Sequence, residues 1–177
     1  MTVNDTDDIL KKAVPSDLPE INRMFDDATA EMDRNGINIW NEYYPREVLP
    51  EDIEKERLYI LRRGERVIGA FALLNDEDEE YEPGTWEDDH APCKFLNRLA
   101  VDPACQRQGI AMRLIEDACR IAKEEGARYM RLFVVDCNPP AISLYEKTGF
   151  SRSPVIKEDH LYEDRVLIEF GYEKKLD

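Results

Sequence analysis

Two stretches of this 177-residue chain place side chains and glycines at spacings that can do chemistry. The first is Leu99-Ala100-Val101-Asp102-Pro103-Ala104-Cys105-Gln106-Arg107-Gln108-Gly109-Ile110-Ala111, which reads as a strand end, a tight loop and a helix start. Gly109 lets a ligand come close to the backbone. The unpaired N–H groups of a first helical turn, together with the positive end of the helix dipole, can receive a diphosphate without any basic surface. The Q-x-x-G-x-A spacing alone is weak, since it recurs by chance in roughly one chain in five at ordinary residue usage. The second stretch is Asn138-Pro139-Pro140-Ala141-Ile142-Ser143-Leu144-Tyr145, continuing to Gly149 and Phe150. Ala141, Leu144, Tyr145 and Thr148 share one helical face, so Tyr145 is expected to point inward with a hydroxyl that needs a partner. Five specified residues at fixed spacing arise by chance on the order of once in ten thousand chains, and the two stretches lie one helix and one strand apart.

The elements that must position them can be read from periodicity and punctuation. A short strand is expected over 9–14, closed by Pro15. Asp17 and Glu20 fit a capping box for an amphipathic helix on which Ile21, Met24, Phe25, Ala28 and Met32 recur until Gly36. Aromatic residues fill 40–44, and Pro45 and Pro50 frame a second, shorter helix ending near Arg57. Strands over 58–61 and 67–74 form a hairpin with Gly64 in its turn. The segment 75–90 is strongly acidic and reads as a loop. A strand over 95–101, ended by Pro103, leads to a long helix with Ile110, Leu114, Ala118, Ile121 and Ala122 on one face, terminated by Gly126. A strand over 129–135 precedes Asn138, a natural N-cap with Pro139 and Pro140 in the first turn, and a short helix to Thr148. Strands over 150–157 and 165–172 finish one α/β layer structure with no internal repeat.

Composition narrows the partners. Lys and Arg total 24 against 39 Asp and Glu, a formal charge of -15, which argues against nucleic acid and anionic membrane surfaces. With 42% hydrophobic residues the chain has material for one folded core. Residues 1–8 show no basic-then-apolar pattern of a targeting peptide, and no apolar run approaches bilayer length. Cys93, Cys105, Cys119 and Cys137 are scattered and the two histidines, His90 and His160, stand apart, so free thiols in a reducing cytoplasm are expected and no metal.

The paired stretches resemble those of the GNAT superfamily of acetyl-CoA-dependent N-acetyltransferases. The resemblance implies a single domain over 1–177: a mixed, mostly antiparallel sheet with helices on both faces and two splayed central strands. It implies that Leu99, Ala100 and Val101 offer backbone groups to the pantetheine and thioester of acetyl-CoA. Gln106, Arg107, Gln108, Gly109, Ile110 and Ala111 would hold the diphosphate, with Ala111 standing where the family more often has glycine. Asn138 would meet the pantetheine arm, and Tyr145 would sit near the sulfur as general acid. The reaction implied is direct attack of an amine on the thioester in a ternary complex, with a strand N–H polarising the carbonyl.

No general base transfers from the family, because the position where some relatives carry a glutamate is Phe95 here. Glu42, Asp136 and the acids of 76–89 stay open, as do water and an amine that arrives neutral. On the acceptor side, Trp40, Tyr43 and Tyr44, with Trp86 among the acids, can offer aromatic faces and negative charge to a cationic amine. The acceptor is expected to be a small molecule or amino-acid derivative; a peptide N-terminus or lysine, and a catalytically silent acyl-CoA-binding domain, are the alternatives. Neither nucleic acid nor membrane is expected as a partner, and a homodimer is allowed.

Overall fold

The computed structural model of the chain describes residues 8–79, 81, 86–162 and 165–177. In chain order the elements are β1 (Ile9–Lys12), α1 (Leu18–Arg34), α2 (Leu49–Glu54), β2 (Leu58–Arg63), β3 (Arg66–Asn75), β4 (Cys93–Val101), α3 (Ile110–Glu124), β5 (Tyr129–Val135), α4 (Pro139–Lys147), β6 (Ser151–Tyr162) and β7 (Arg165–Lys175). The strands form one seven-stranded mixed sheet in the order β1-β2-β3-β4-β5-β7-β6. Among the described residues no helix is long and apolar enough to cross a membrane. Contacts cluster into two compact units, Met1–Ala72 with Arg98–Leu114 and Leu73–Asn97 with Ile115–Asp177, so that β3, β4 and α3 each run from one unit into the other.

In the first unit β1 pairs antiparallel with β2, and β2 with β3. Gly64 turns the β2–β3 hairpin at φ 59°, a left-handed conformation that costs glycine nothing. Helix α1 buries Ile21, Met24, Phe25 and Ala28 as the 3.6-residue period requires. The expected capping box does not form. Asp17 accepts instead from the Val14 N–H and pairs with Lys11 and Arg62, while Glu20 accepts from Arg23 and from the Val67 N–H. Two carboxylates that could have capped a helix are drawn off by cations from β1, β2 and the helix itself, whose charged donors strengthen the bonds, and by the Val14 and Val67 amides, which lie outside α1.

In the second unit β4 and β5 run parallel, with a ladder of three pairs: Cys93 with Tyr129, Lys94 with Met130 and Phe95 with Arg131. Strand β5 pairs with β7 along its whole length, and β6 with β7. Arg131, fully buried on β5, is the organising cation. It donates to the Asp88 carbonyl (2.7 Å), approaches Cys93 Sγ (3.3 Å) and Glu173 Oε2 (3.5 Å), and lies 4.8 Å from the Trp86 ring. Burial and nearby Asp76 push the Cys93 thiol up to about 11, so it stays protonated, while Arg131 pulls the other way. The acidic segment departs from a plain loop: β3 continues to Asn75 and a single 3-10 turn comes next at Asp76–Asp78. Glu80 and residues 82–85, part of the same expectation, lie outside the described residues, as do residues 1–7.

Gly171 on β7 is a point of close approach. A Cβ there would meet Trp86 Cη2 and Val155 Cβ at 2.9 Å and Ser153 Oγ at 3.1 Å. Gly171→Ala is therefore expected to lower unfolding free energy by about 1–3 kcal/mol through overpacking, measured by urea denaturation. An unchanged midpoint would show that this contact is not tight.

Candidate active site

The loop between β4 and α3 is built on Asp102, whose side chain is 1% exposed. Its Oδ1 accepts from the Ala104 N–H (2.9 Å) and Arg66 Nη2 (3.0 Å), and its Oδ2 from Arg66 Nε (2.8 Å) and Arg23 Nη2 (3.1 Å). Burial acts to raise its pKa, but the donors from Arg66, Ala104 and Arg23 hold it below the ordinary carboxylate value. The Asp102 N–H donates to the Ile68 carbonyl (2.9 Å), which ties the strand end to β3. Asp102 thus caps the 3-10 turn Pro103–Cys105, after which residues 106–109 lie exposed.

Within that exposed loop Arg107 (φ 61°) and Gly109 (φ 76°) both take left-handed conformations. Such alternations aim successive N–H groups into one concavity, a common anion receptor. The Arg113 N–H donates to the Gly109 carbonyl, the first backbone bond of α3, and no acceptor among the described residues takes the N–H of Ile110, Ala111 or Met112. A Cβ at Gly109 would meet nothing within 4 Å, so the space over the helix start is open. The Gln106 N–H is taken by the Pro103 carbonyl (3.4 Å), but the features a diphosphate requires, free amides, a helix dipole and room, are present from Gly109 into the first turn of α3. Gln108 is oriented by Arg63 Nη1 (3.1 Å), and Arg63 is itself held by Asp8.

Immediately before this loop, β4 carries an ion pair that the sequence did not announce. Arg98, at φ 52°, has its side chain 7% exposed and reaches both oxygens of fully buried Asp52 on α2, at 2.9 and 2.6 Å. Arg57 Nε donates to the same Asp52 at 2.6 Å, and Arg98 Nη1 lies 3.5 Å from the Tyr44 hydroxyl. Desolvation opposes the charge on Arg98, but Tyr44 and Asp52 overcome it and raise its pKa. Tyr44 is thereby linked to the strand bearing Leu99, Ala100 and Val101. Trp40 packs on Phe25 with centroids 5.5 Å apart, and Tyr43 is 57% exposed.

In the second unit Asn138 caps α4, its Oδ1 accepting from the Ala141 N–H at 3.3 Å. Tyr145 is buried against Phe150, and burial raises its pKa above the ordinary phenol value. Among the described residues its hydroxyl has no hydrogen-bond partner. Trp86 is 6% exposed, inside a cluster with Tyr81, Phe95 and Phe133, and belongs to a different unit from Trp40, Tyr43 and Tyr44. Its ring is committed to packing. Asp102 was legible as a turn former before Pro103, whereas nothing in the sequence links Asp52 to Arg98.

A sequence profile of the Acetyltransferase (GNAT) family matches residues 21–150, and the chain belongs to that family. The protein named "Putative phosphinothricin acetyltransferase YwnH" from Bacillus subtilis is 37% identical over 53 residues, which is 30% of this chain and 32% of that relative. The chain thus aligns with about a third of its length. A GNAT-family acetyltransferase from Streptococcus agalactiae shares the fold at TM-score 0.78 and 17% identity, with 96% of each chain covered. The ribosomal-protein-S18-alanine N-acetyltransferase of Escherichia coli does so at TM-score 0.69 and 20% identity, covering 96% of this chain and 94% of that one.

Removing the Asp52 carboxylate strands a buried guanidinium. Asp52→Ala is expected to cost about 3–5 kcal/mol, read from chemical denaturation. A loss under about 1 kcal/mol would mean that Arg98 and Arg57 find other partners.

Proposed function

We propose that the chain, as one N-acetyltransferase domain over 1–177, moves an acetyl group from acetyl-CoA to the primary amine of a small molecule or amino-acid derivative. The observation that carries this reading is the open cradle of amides at 106–111 within a GNAT-family chain, since an acidic protein has few other ways to seat a diphosphate. Gln106, Arg107, Gln108, Gly109, Ile110 and Ala111 hold the diphosphate. The backbone of Leu99, Ala100 and Val101 faces the thioester, and an N–H there stabilises the oxyanion as it develops. Asn138 meets the pantetheine arm.

Tyr145 serves as the acid for the departing thiolate. Its phenol, with a pKa raised by burial, stays neutral and carries its proton throughout the neutral range. Transfer from such a phenol to a thiolate whose conjugate thiol has an ordinary pKa of ~8.5 is uphill in water. Surroundings that disfavour a charged phenolate also disfavour a charged thiolate, so the step is eased where the leaving sulfur is equally desolvated. Trp40, Tyr43 and Tyr44 contribute to the acceptor side, with Trp86 in a supporting, packed position.

The name of the phosphinothricin acetyltransferase relative favours a small acceptor, while that of the S18-alanine enzyme keeps a peptide N-terminus as the second reading. We place the protein in the cytoplasm on its composition, with neither nucleic acid nor membrane as partner. Screening amines and N-terminal peptides for thiol release from acetyl-CoA tests the reading. At least one amine is expected to stimulate release, and coenzyme binding without turnover across the whole panel would favour a silent domain. Tyr145→Phe is expected to lower kcat by about 100-fold or more while coenzyme affinity changes less than about twofold. Wild-type turnover in this variant would remove Tyr145 from the mechanism.

A further inference from the structure

The proposed reaction has an acid and no base. In the second unit, β7 carries a half-buried carboxylate that no step has used. Glu169 stands opposite Val135, the last residue of β5, and opposite Lys157 of β6. Beside it the Asp136 N–H donates to the Ile168 carbonyl (2.9 Å), which fastens β7 to the segment that leads into Asn138 and α4. Glu169 therefore sits at the strand end from which Asn138 and Tyr145 arise.

Three elements supply the groups around it. From the turn after β3 comes Glu79, and from β6 come Lys157 and Asp159; its β5 neighbour, Val135, is neutral. Glu79 is already satisfied on both oxygens: Asn97 Nδ2 donates to Oε1 at 2.8 Å and Lys157 Nζ to Oε2 at 3.4 Å. The Lys157 ammonium also lies 5.1 Å from the Phe133 ring centroid, so its charge is shared between Glu79 and an aromatic face. Among the described residues no donor reaches the Glu169 carboxylate. Asp159 is likewise half-buried and without a hydrogen bond or ion pair among the described residues, but it lies on the edge strand β6, whereas Glu169 lies on β7 directly against the end of β5. The energetic consequence is a group poised between protonation states. Burial and the charges of Asp159 and Glu79 outweigh Lys157 and push its pKa up to about 7.

We propose that Glu169 is the proton acceptor for a primary aliphatic amine that arrives as an ammonium ion, with Glu79, Lys157 and Asn97 as the residues that position and tune it. This rests on the acetyltransferase reading and deepens it by naming the substrate's charge state. One N–H bond of the ammonium breaks and its proton passes to a Glu169 oxygen, leaving the nitrogen lone pair to form the C–N bond as the C–S bond breaks. The second proton shed by nitrogen replaces the one that Tyr145 gives to the departing thiolate, and Glu169 returns its own to solvent. A binding amine meets a carboxylate lacking a counter-charge, and supplies it.

The experiment is the pH dependence of kcat/KM, with an amine found in the panel, for wild type and for Glu169→Gln, Glu79→Gln and Lys157→Met. The base must be ionised to act, so wild-type kcat/KM is expected to fall as pH drops through about 7. Glu169→Gln is expected to lose that limb and at least about tenfold in kcat/KM at neutral pH, and to approach wild type where the amine is already neutral. Its coenzyme affinity is expected to stay unchanged. Glu79→Gln removes a repelling charge and is expected to move the limb to lower pH, while Lys157→Met is expected to move it higher. Should Glu169→Gln fold poorly, these opposite displacements in the two tuning variants decide the matter, since a structural role would produce neither. Turnover by Glu169→Gln with the wild-type limb and rate would overturn the inference, as would limbs that do not move in the tuning variants. Absence of turnover by wild type with every amine would instead be the failure of the acetyltransferase reading beneath it.

Discussion

The buried carboxylate of Asp102 is the constraint on which the rest depends. A carboxylate with its side chain 1% exposed is tolerable only when its oxygens are occupied, and Arg66, Arg23 and the Ala104 amide occupy them. The same residue binds the Ile68 carbonyl through its own N–H, so the position of the chain at the end of β4 is set from both sides of one peptide unit. The loop beyond it has a fixed entry and an exposed middle. That combination lets Arg107 and Gly109 hold left-handed conformations and leaves the first amides of α3 unclaimed among the described residues. The proposed receptor is thus a consequence of how the strand is stopped.

A chain with formal charge -15 would seem a poor host for an anion. The distribution of its cations makes the point sharper, because the arginines that flank the loop are engaged, Arg23 and Arg66 on Asp102 and Arg63 on Asp8, which leaves Arg107 as the loop's own cation. The long-range field is unhelpful to a diphosphate, and the proposed site would act over short distances with oriented dipoles and the Arg107 charge. The same acidity suits the opposite partner. For the proposed ammonium substrate, the group of Glu79, Asp159 and Glu169, with Lys157 against it among the described residues, would give the attraction a local endpoint.

Much of this was legible in the sequence because the relevant signals are local. The period of Ile110, Leu114, Ala118 and Ala122 specified α3, and Asn138 followed by two prolines specified the start of α4, where its side chain does cap Ala141. The extent of β5 was set by an apolar run, interrupted at Arg131, between Gly126 and Asn138. Where expectation and structure part, long-range charge is the reason. Asp17 and Glu20 satisfy the local rule for a capping box but are taken by Lys11, Arg62 and Arg23. Asp52 and Arg98 are 46 residues apart, too far for any periodicity to relate them, and only the fold joins them. Glu169 escaped notice for the same reason: its environment comes from β6 and from the turn after β3, and one sequence read in isolation shows it as one more acid in a strand. Trp86, singled out for its aromatic ring among acids, instead covers Gly171 and Arg131 inside the second unit.

The central claim is that backbone amides at 106–111 bind the diphosphate of the coenzyme. Isothermal titration calorimetry of the folded chain against coenzyme A and, separately, against pantetheine, which lacks the diphosphate, addresses it most directly. The account predicts a saturable complex with coenzyme A and affinity for pantetheine weaker by at least about tenfold, or about 1.4 kcal/mol. No heat with coenzyme A, or equal affinity for the two ligands, would contradict it.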